Sequence, residues 1–306
     1  MIYTCTMNPS LDYYMEFEQP IVKGVTNRST LEYFEAGGKG VNVSIVLNNL
    51  LIPSRSLGFL GGFTKDFYIS LLNKYEYLQP SFCYTPGHTR INIKMIGAED
   101  TDINAAGPYV PPETMVSLKK KLNKIYPGDT FVMAGFCPAY LIDDAVEMIA
   151  GLAQDDVKIV IDSIPEIMKR SLPYKPFLLK PRVNEIEEMT GHTITDLDSL
   201  IDACEELVKA GAENVIVQLG REGSIMVNKD GTYYSDIIQS EQVINTVGSG
   251  DSMVAGFIMD ALRSKDRVQN FAFANCCKEA TAFSKGLATR EKVESLAKEV
   301  RVEKIR

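Results

Sequence analysis

Short apolar runs alternate with longer amphipathic stretches along most of this 306-residue chain. The runs Met1–Met7, Arg55–Leu60, Thr130–Gly135, Lys158–Ile161, Phe177–Leu179 and Val215–Leu219 are brief and densely apolar, the pattern of strands buried on both faces. Between them Val41–Leu51, Thr64–Tyr75, Pro112–Ile125, Leu141–Ala153, Leu197–Ala210 and Asp251–Leu262 repeat apolar positions at helical spacing. Strands alternating with helices predict an α/β fold with a mostly parallel central sheet covered on both faces. Right-handed crossovers then gather ligand-binding turns at the carboxyl ends of the strands, where the turns after Leu179 and Leu219 fall.

Two segments have the other period. Asn27–Phe34 and Thr89–Gly97 alternate every second residue; in the latter, Ile91, Ile93 and Met95 interleave with Asn92 and Lys94. A strand with one polar face belongs to a sheet open on one side. These segments predict a small accessory sheet that covers a ligand site or pairs with another subunit. No repeat, low-complexity tract or long linker divides the chain. It reads as a single domain over 1–306 with inserted lid strands at about 11–36 and 84–108.

The formal net charge of -8 argues against a nucleic-acid partner, and no apolar run has the length of a membrane span. Six scattered cysteines without a C-x-x-C pair, and an N-terminus without a basic and then apolar leader, predict a cytoplasmic protein. Two distant histidines, His88 and His192, give little support to a histidine-based zinc site or a Ser–His–Asp triad.

Two glycine clusters carry the chemistry. In Asn245-Thr246-Val247-Gly248-Ser249-Gly250-Asp251-Ser252, glycines allow a sharp turn with N–H groups pointing one way, ahead of an apolar helix whose N-terminus favours an anion. Asp251 sits at that end as a base for an alcohol proton, or as a plain helix cap. In Ala36-Gly37-Gly38-Lys39-Gly40-Val41-Asn42-Val43, glycines permit close backbone approach, while Lys39 and Asn42 add a charge and an amide. Neither is a Walker A loop, and Met253 fills the third glycine position of a dinucleotide fingerprint.

Taken together and in order, these clusters resemble the ribokinase-like, PfkB-type sugar kinases, in the branch containing 1-phosphofructokinase and tagatose-6-phosphate kinase. Thr6-Met7-Asn8-Pro9-Ser10-Leu11-Asp12, Thr89-Arg90-Ile91-Asn92, Thr101-Asp102-Ile103-Asn104 ahead of Gly107-Pro108, and Lys180-Pro181 extend the resemblance along the chain. It implies a three-layer α/β/α sandwich with a β-sheet lid, ATP and Mg2+ as cofactors, and a homodimer joined through the lid. It implies that Asp251 is the catalytic base and that Gly248, Ser249 and Gly250 form the anion hole. Asp12, Gly38, Lys39 and Asn42 would frame the sugar, with Arg90, and Arg28 as a second candidate, on its phosphate. Lys180, Gly220, Gly223 and Asn275 would serve ATP, and Glu185 the metal indirectly.

The sequence departs from the family where Arg182 replaces the asparagine of Asn-x-x-Glu, and where Phe136 stands in a commonly small position. Asp162-Ser163-Ile164-Pro165 also places bulk where relatives have glycine. The implied reaction is phosphorylation of a ketohexose monophosphate, with fructose 1-phosphate converted to fructose 1,6-bisphosphate. Tagatose-6-phosphate kinase is the alternative enzyme, and a sugar-phosphate-binding regulator on a degenerate scaffold is the alternative of another class.

Overall fold

A computed structural model describes residues 1–306. Its first half contains strands β1 (Ile2–Thr6), β2 (Ser10–Glu16), β3 (Leu31–Gly37), helix α1 (Lys39–Asn49), β4 (Ser54–Gly61), α2 (Gly62–Leu72), β5 (Leu78–Pro80), β6 (Cys83–Thr85), β7 (Arg90–Ile96) and β8 (Thr101–Ile103). There follow α3 (Pro112–Leu122), β9 (Thr130–Gly135), α4 (Ile142–Gln154), β10 (Lys158–Ser163), α5 (Pro165–Ser171), β11 (Leu178–Leu179), α6 (Val183–Thr190) and α7 (Leu197–Lys209). The last third holds β12 (Asn214–Gln218), β13 (Ser224–Asn228), β14 (Gly231–Ser235), α8 (Ser249–Asp260), α9 (Arg267–Ala282), α10 (Arg290–Leu296) and β15 (Glu303–Lys304).

The main sheet runs β15-β14-β13-β12-β11-β10-β9-β1-β4-β5, with β6 also on β4. It is parallel from β12 to β5 and antiparallel at the β13–β15 end. Alternate strand residues feed two separate cores. Cys5, Phe131, Met133, Ile159, Ile161, Val215 and Val217 pack against α3 to α7. Ile2, Val132, Ala134, Val160, Leu178 and Ile216 pack against α1, α8, α9 and α10. The period of two thus makes three layers, because each strand must satisfy apolar helices on both faces.

The second sheet, β3-β2-β7-β8, is separate from the first. Its second strand, β2, follows β1 within a few residues and so springs from the carboxyl edge of the main sheet. Parallel pairing sets Ser10 beside Arg90, Asp12 beside Asn92 and Tyr14 beside Lys94 on one face. Leu11, Tyr13, Ile91 and Ile93 occupy the other face. Leu11 is fully buried at the junction with α2 and β4, whereas Ile91 and Ile103 remain exposed.

The structure adds elements that the pattern did not show. The antiparallel strands β13–β15 and helices α5, α6, α9 and α10 lie outside the predicted runs. Strand β3 begins at Leu31, so Asn27–Thr30 is connecting backbone rather than strand; its residues are mostly exposed. All six cysteines are free and buried, consistent with their reading as small core side chains. No helix is long and apolar enough to cross a membrane.

Candidate active site

Five parallel-strand ends and two helix N-termini converge on a cavity of about 750 Å³. Thr6, Gly135, Asp162, Lys180 and Gln218 come from the carboxyl ends of β1, β9, β10, β11 and β12. Helices α1 and α8 pack side by side and both open at a glycine, Gly38 and Gly248, so two positive helix ends point toward the same space. The polar face of β2 and β7 forms the opposite wall.

The α8 turn is built for close approach. Gly248 adopts the left-handed conformation at φ 76°, and a Cβ there would run into Leu287. A Cβ on Gly250 would meet Lys180 Nζ at 2.7 Å and Gln218 Oε1 at 2.9 Å, so an ammonium stands directly over the turn's backbone. Asp251 lies in the first turn of α8 and is buried, with Oδ2 accepting a hydrogen bond from Asn42 Nδ2 at 2.7 Å. Burial raises its pKa to about 6, and the nearby Asp162 carboxylate adds to the rise. Lys39, the Asn42 amide and Lys180 oppose it.

Asp162 sits beneath this group, almost wholly inaccessible. Its Oδ1 accepts a hydrogen bond from Lys39 Nζ at 2.6 Å, and its Oδ2 lies 3.8 Å from Lys180 Nζ. Burial disfavours its charge, but Lys180 and then Lys39 outweigh that and hold its pKa below the ordinary carboxylate value. Across the cavity, Asp12 Oδ1 accepts from Ser10 Oγ at 2.7 Å and Asn92 Nδ2 at 2.9 Å. Burial nevertheless raises the Asp12 pKa. Arg90 donates through Nε and Nη2 to the Asn8 carbonyl and through Nη1 to that of Ala105. Of a guanidinium's five N–H groups, about two are left to meet a ligand.

The cavity therefore brings together Asp12, Gly38, Lys39, Asn42, Arg90 and Lys180 with Gly248, Ser249, Gly250 and Asp251. Within it Lys39 pairs with Asp162, and Asn42 donates to Asp251. Phe136 lines the cavity with an exposed ring. Other expected residues lie elsewhere. Arg28 is on the exposed loop between β2 and β3 and does not line the cavity. Asn275 is inaccessible, its Nδ2 donating to the Phe271 carbonyl and its Oδ1 accepting from Ser224 Oγ, so it has nothing to offer an adenine. It faces the core beside Ser224 of β13.

Gly220 and Gly223 bracket a short turn after β12 and also lie outside the cavity. Gly220 is exposed, whereas a Cβ on Gly223 would collide with the Ser235 carbonyl, which gives that glycine a packing reason. Glu185 accepts a hydrogen bond from the Arg182 backbone N–H at 2.8 Å, capping α6. Asp162, Gln218, Asn92, Lys94 and Asn104 are cavity residues that sequence reasoning did not assign. Their signal was positional: a polar side chain at the end of an apolar strand, or on the polar face of an alternating one.

A glycine turn at a helix N-terminus, with an ammonium above it and a buried carboxylate beside it, is the kind of arrangement that suits a phosphotransferase acting on an alcohol. The chain belongs to the pfkB family of carbohydrate kinases, which it matches over residues 6–293. It is accordingly an ATP-dependent sugar kinase. It is 36% identical over 306 residues to the 1-phosphofructokinase of Bacillus subtilis, with 100% of both chains covered. It is 30% identical to the D-tagatose-1-phosphate kinase of Bacillus licheniformis, with 99% of each chain covered. A solved candidate phosphofructokinase of Staphylococcus aureus superposes with a TM-score of 0.85 at 36% identity, covering 99% of this chain and 98% of that one.

The buried Asp251 gives a direct check. Its carboxyl 13C resonance should titrate with a midpoint near pH 6 in the free protein; a midpoint at the ordinary 3.8 would contradict the described surroundings.

Proposed function

We propose that this kinase transfers the γ-phosphoryl group of ATP to the free primary hydroxyl of fructose 1-phosphate, forming fructose 1,6-bisphosphate. The observation that carries the reading is the meeting of Asp251, Lys180 and the Gly248–Gly250 turn at one end of a cavity whose other wall bears Asp12 and Arg90. Asp251 accepts the hydroxyl proton as the oxygen attacks in line. The amides of Gly248, Ser249 and Gly250, with Lys180, receive the charge on the phosphoryl oxygens. Asp12 orients sugar hydroxyls, and the free N–H groups of Arg90 meet the phosphate already on the sugar. ATP lies toward Lys180 and the Gly220–Gly223 turn.

Magnesium would enter with the nucleotide. The structure holds no cluster of three His, Cys, Asp or Glu ready for a metal, as suits an ion held mainly by phosphates and water. Glu185 uses one carboxylate oxygen on the α6 cap; the other would be free to hold water on the metal. Bound Mg2+ would neutralise phosphate charge during transfer.

The whole chain works as one kinase unit, with β2, β3, β7 and β8 as its lid. The apolar outer face of that lid, including exposed Ile91 and Ile103, supports pairing of two lids in a homodimer. Light scattering of dilute protein should give twice the monomer mass; a strict monomer would count against lid pairing.

The Bacillus licheniformis relative favours a second acceptor, tagatose 1-phosphate, the C4 epimer of the first. A panel of fructose and tagatose 1- and 6-phosphates, assayed for ADP release, decides between them. The highest kcat/KM is expected with fructose 1-phosphate. Preference for a 6-phosphate would overturn the placement of the sugar, and no turnover with any of them would overturn the acceptor class.

A further inference from the structure

We propose that Asp162 is a positioning residue that yokes Lys39 to Lys180 and so draws both ammonium groups away from Asp251. The inference rests on the kinase reading above. Lys39 enters from the start of α1 and Lys180 from the end of β11, and both line the cavity. Both reach the same buried carboxylate, Lys39 at 2.6 Å and Lys180 at 3.8 Å. Asp162 Oδ2 has no hydrogen-bond partner, so its free lone pairs face the Lys180 side. Asp251, equally buried, forms no ion pair within 4.0 Å; its one polar side-chain partner is the neutral Asn42.

That division is useful chemistry. A base that forms a close ion pair with lysine is a poor proton acceptor, because the pair favours the ionised form and lowers its pKa. Two lysines without a shared counter-charge would also repel each other and lose their fixed geometry. A buried ion pair is weak evidence for stability, since desolvation offsets most of the attraction. Held at the floor of the cavity, Asp162 instead sets the rotamers of one cation on the acceptor side and one over the phosphoryl-receiving turn. The charged groups around Asp251 are Asp162 on β10, Lys39 on α1 and Lys180 after β11, with Arg182 at the start of α6 acting on Asp162 and Lys39.

The test compares kcat–pH profiles of the wild type, Asp162→Asn and Asp162→Glu, with thermal unfolding as the check on the fold. In Asp162→Asn both lysines turn to Asp251. Its pKa falls, so the acid limb moves down by about one pH unit or more. The plateau drops about 10- to 100-fold through lost geometry. Asp162→Glu restores the charge and returns the limb toward that of the wild type. A folded Asp162→Asn whose limb stays in place, or moves up, overturns the proposal. If that variant does not fold, Lys39→Gln gives the opposite sign: removal of a cation moves the limb up, and an unmoved limb overturns the proposal. Wild-type turnover across the sugar panel tests the parent reading separately, because the Asp162 inference depends only on the difference between profiles.

Discussion

A carboxylate buried at a helix N-terminus is pulled in two directions. Loss of water favours the proton, while the helix dipole and neighbouring donors favour the charge. In this chain the balance for Asp251 falls toward the proton, with a pKa near 6. That value leaves the group mostly ionised at neutral pH and still able to accept a proton, the compromise general-base chemistry asks for. Much of the surrounding architecture maintains it. Asn42 fixes the carboxylate through a neutral amide, the glycines of the α8 turn keep the space above it open, and the lysines are engaged by Asp162.

The fold supplies that arrangement through simple geometric rules. Parallel strands with right-handed crossovers put Asp162, Lys180 and Gln218 at one edge of the sheet. The second sheet grows from the same edge, so its polar face needs no long connection to reach the cavity. Its register sorts the side chains: Ser10, Asp12, Arg90 and Asn92 inward, Ile91 and Ile93 outward. A one-residue slip of β7 would exchange the two faces and dismantle the polar wall of the cavity.

Much of this was legible from residues alone. Apolar runs located six of the parallel strands, five of which line the cavity, because a strand buried on both faces has little room for polar residues. The glycine clusters were visible since only glycine suits such turns. What stayed hidden depended on contacts distant in sequence. Lys39 and Asp162 are 123 residues apart, and Asn42 and Asp251 are 209 apart, so no local pattern reveals that they meet. Asn275 was misjudged because an amide at helical spacing gives no sign that a buried Ser224 will satisfy it. Glu185 was placed by its motif, while its role as the cap of α6 required the backbone geometry at Arg182.

The central claim is that Asp251 removes a proton in the transition state and does not merely shape the site. Asp251→Asn preserves size and burial while removing the basic oxygen. Single-turnover phosphoryl transfer in this variant, with calorimetric affinities for ATP and fructose 1-phosphate measured on the same protein, isolates that step. The account predicts a rate lower by about 10²–10⁴-fold with both affinities close to those of the wild type. Transfer at a near-normal rate would contradict it.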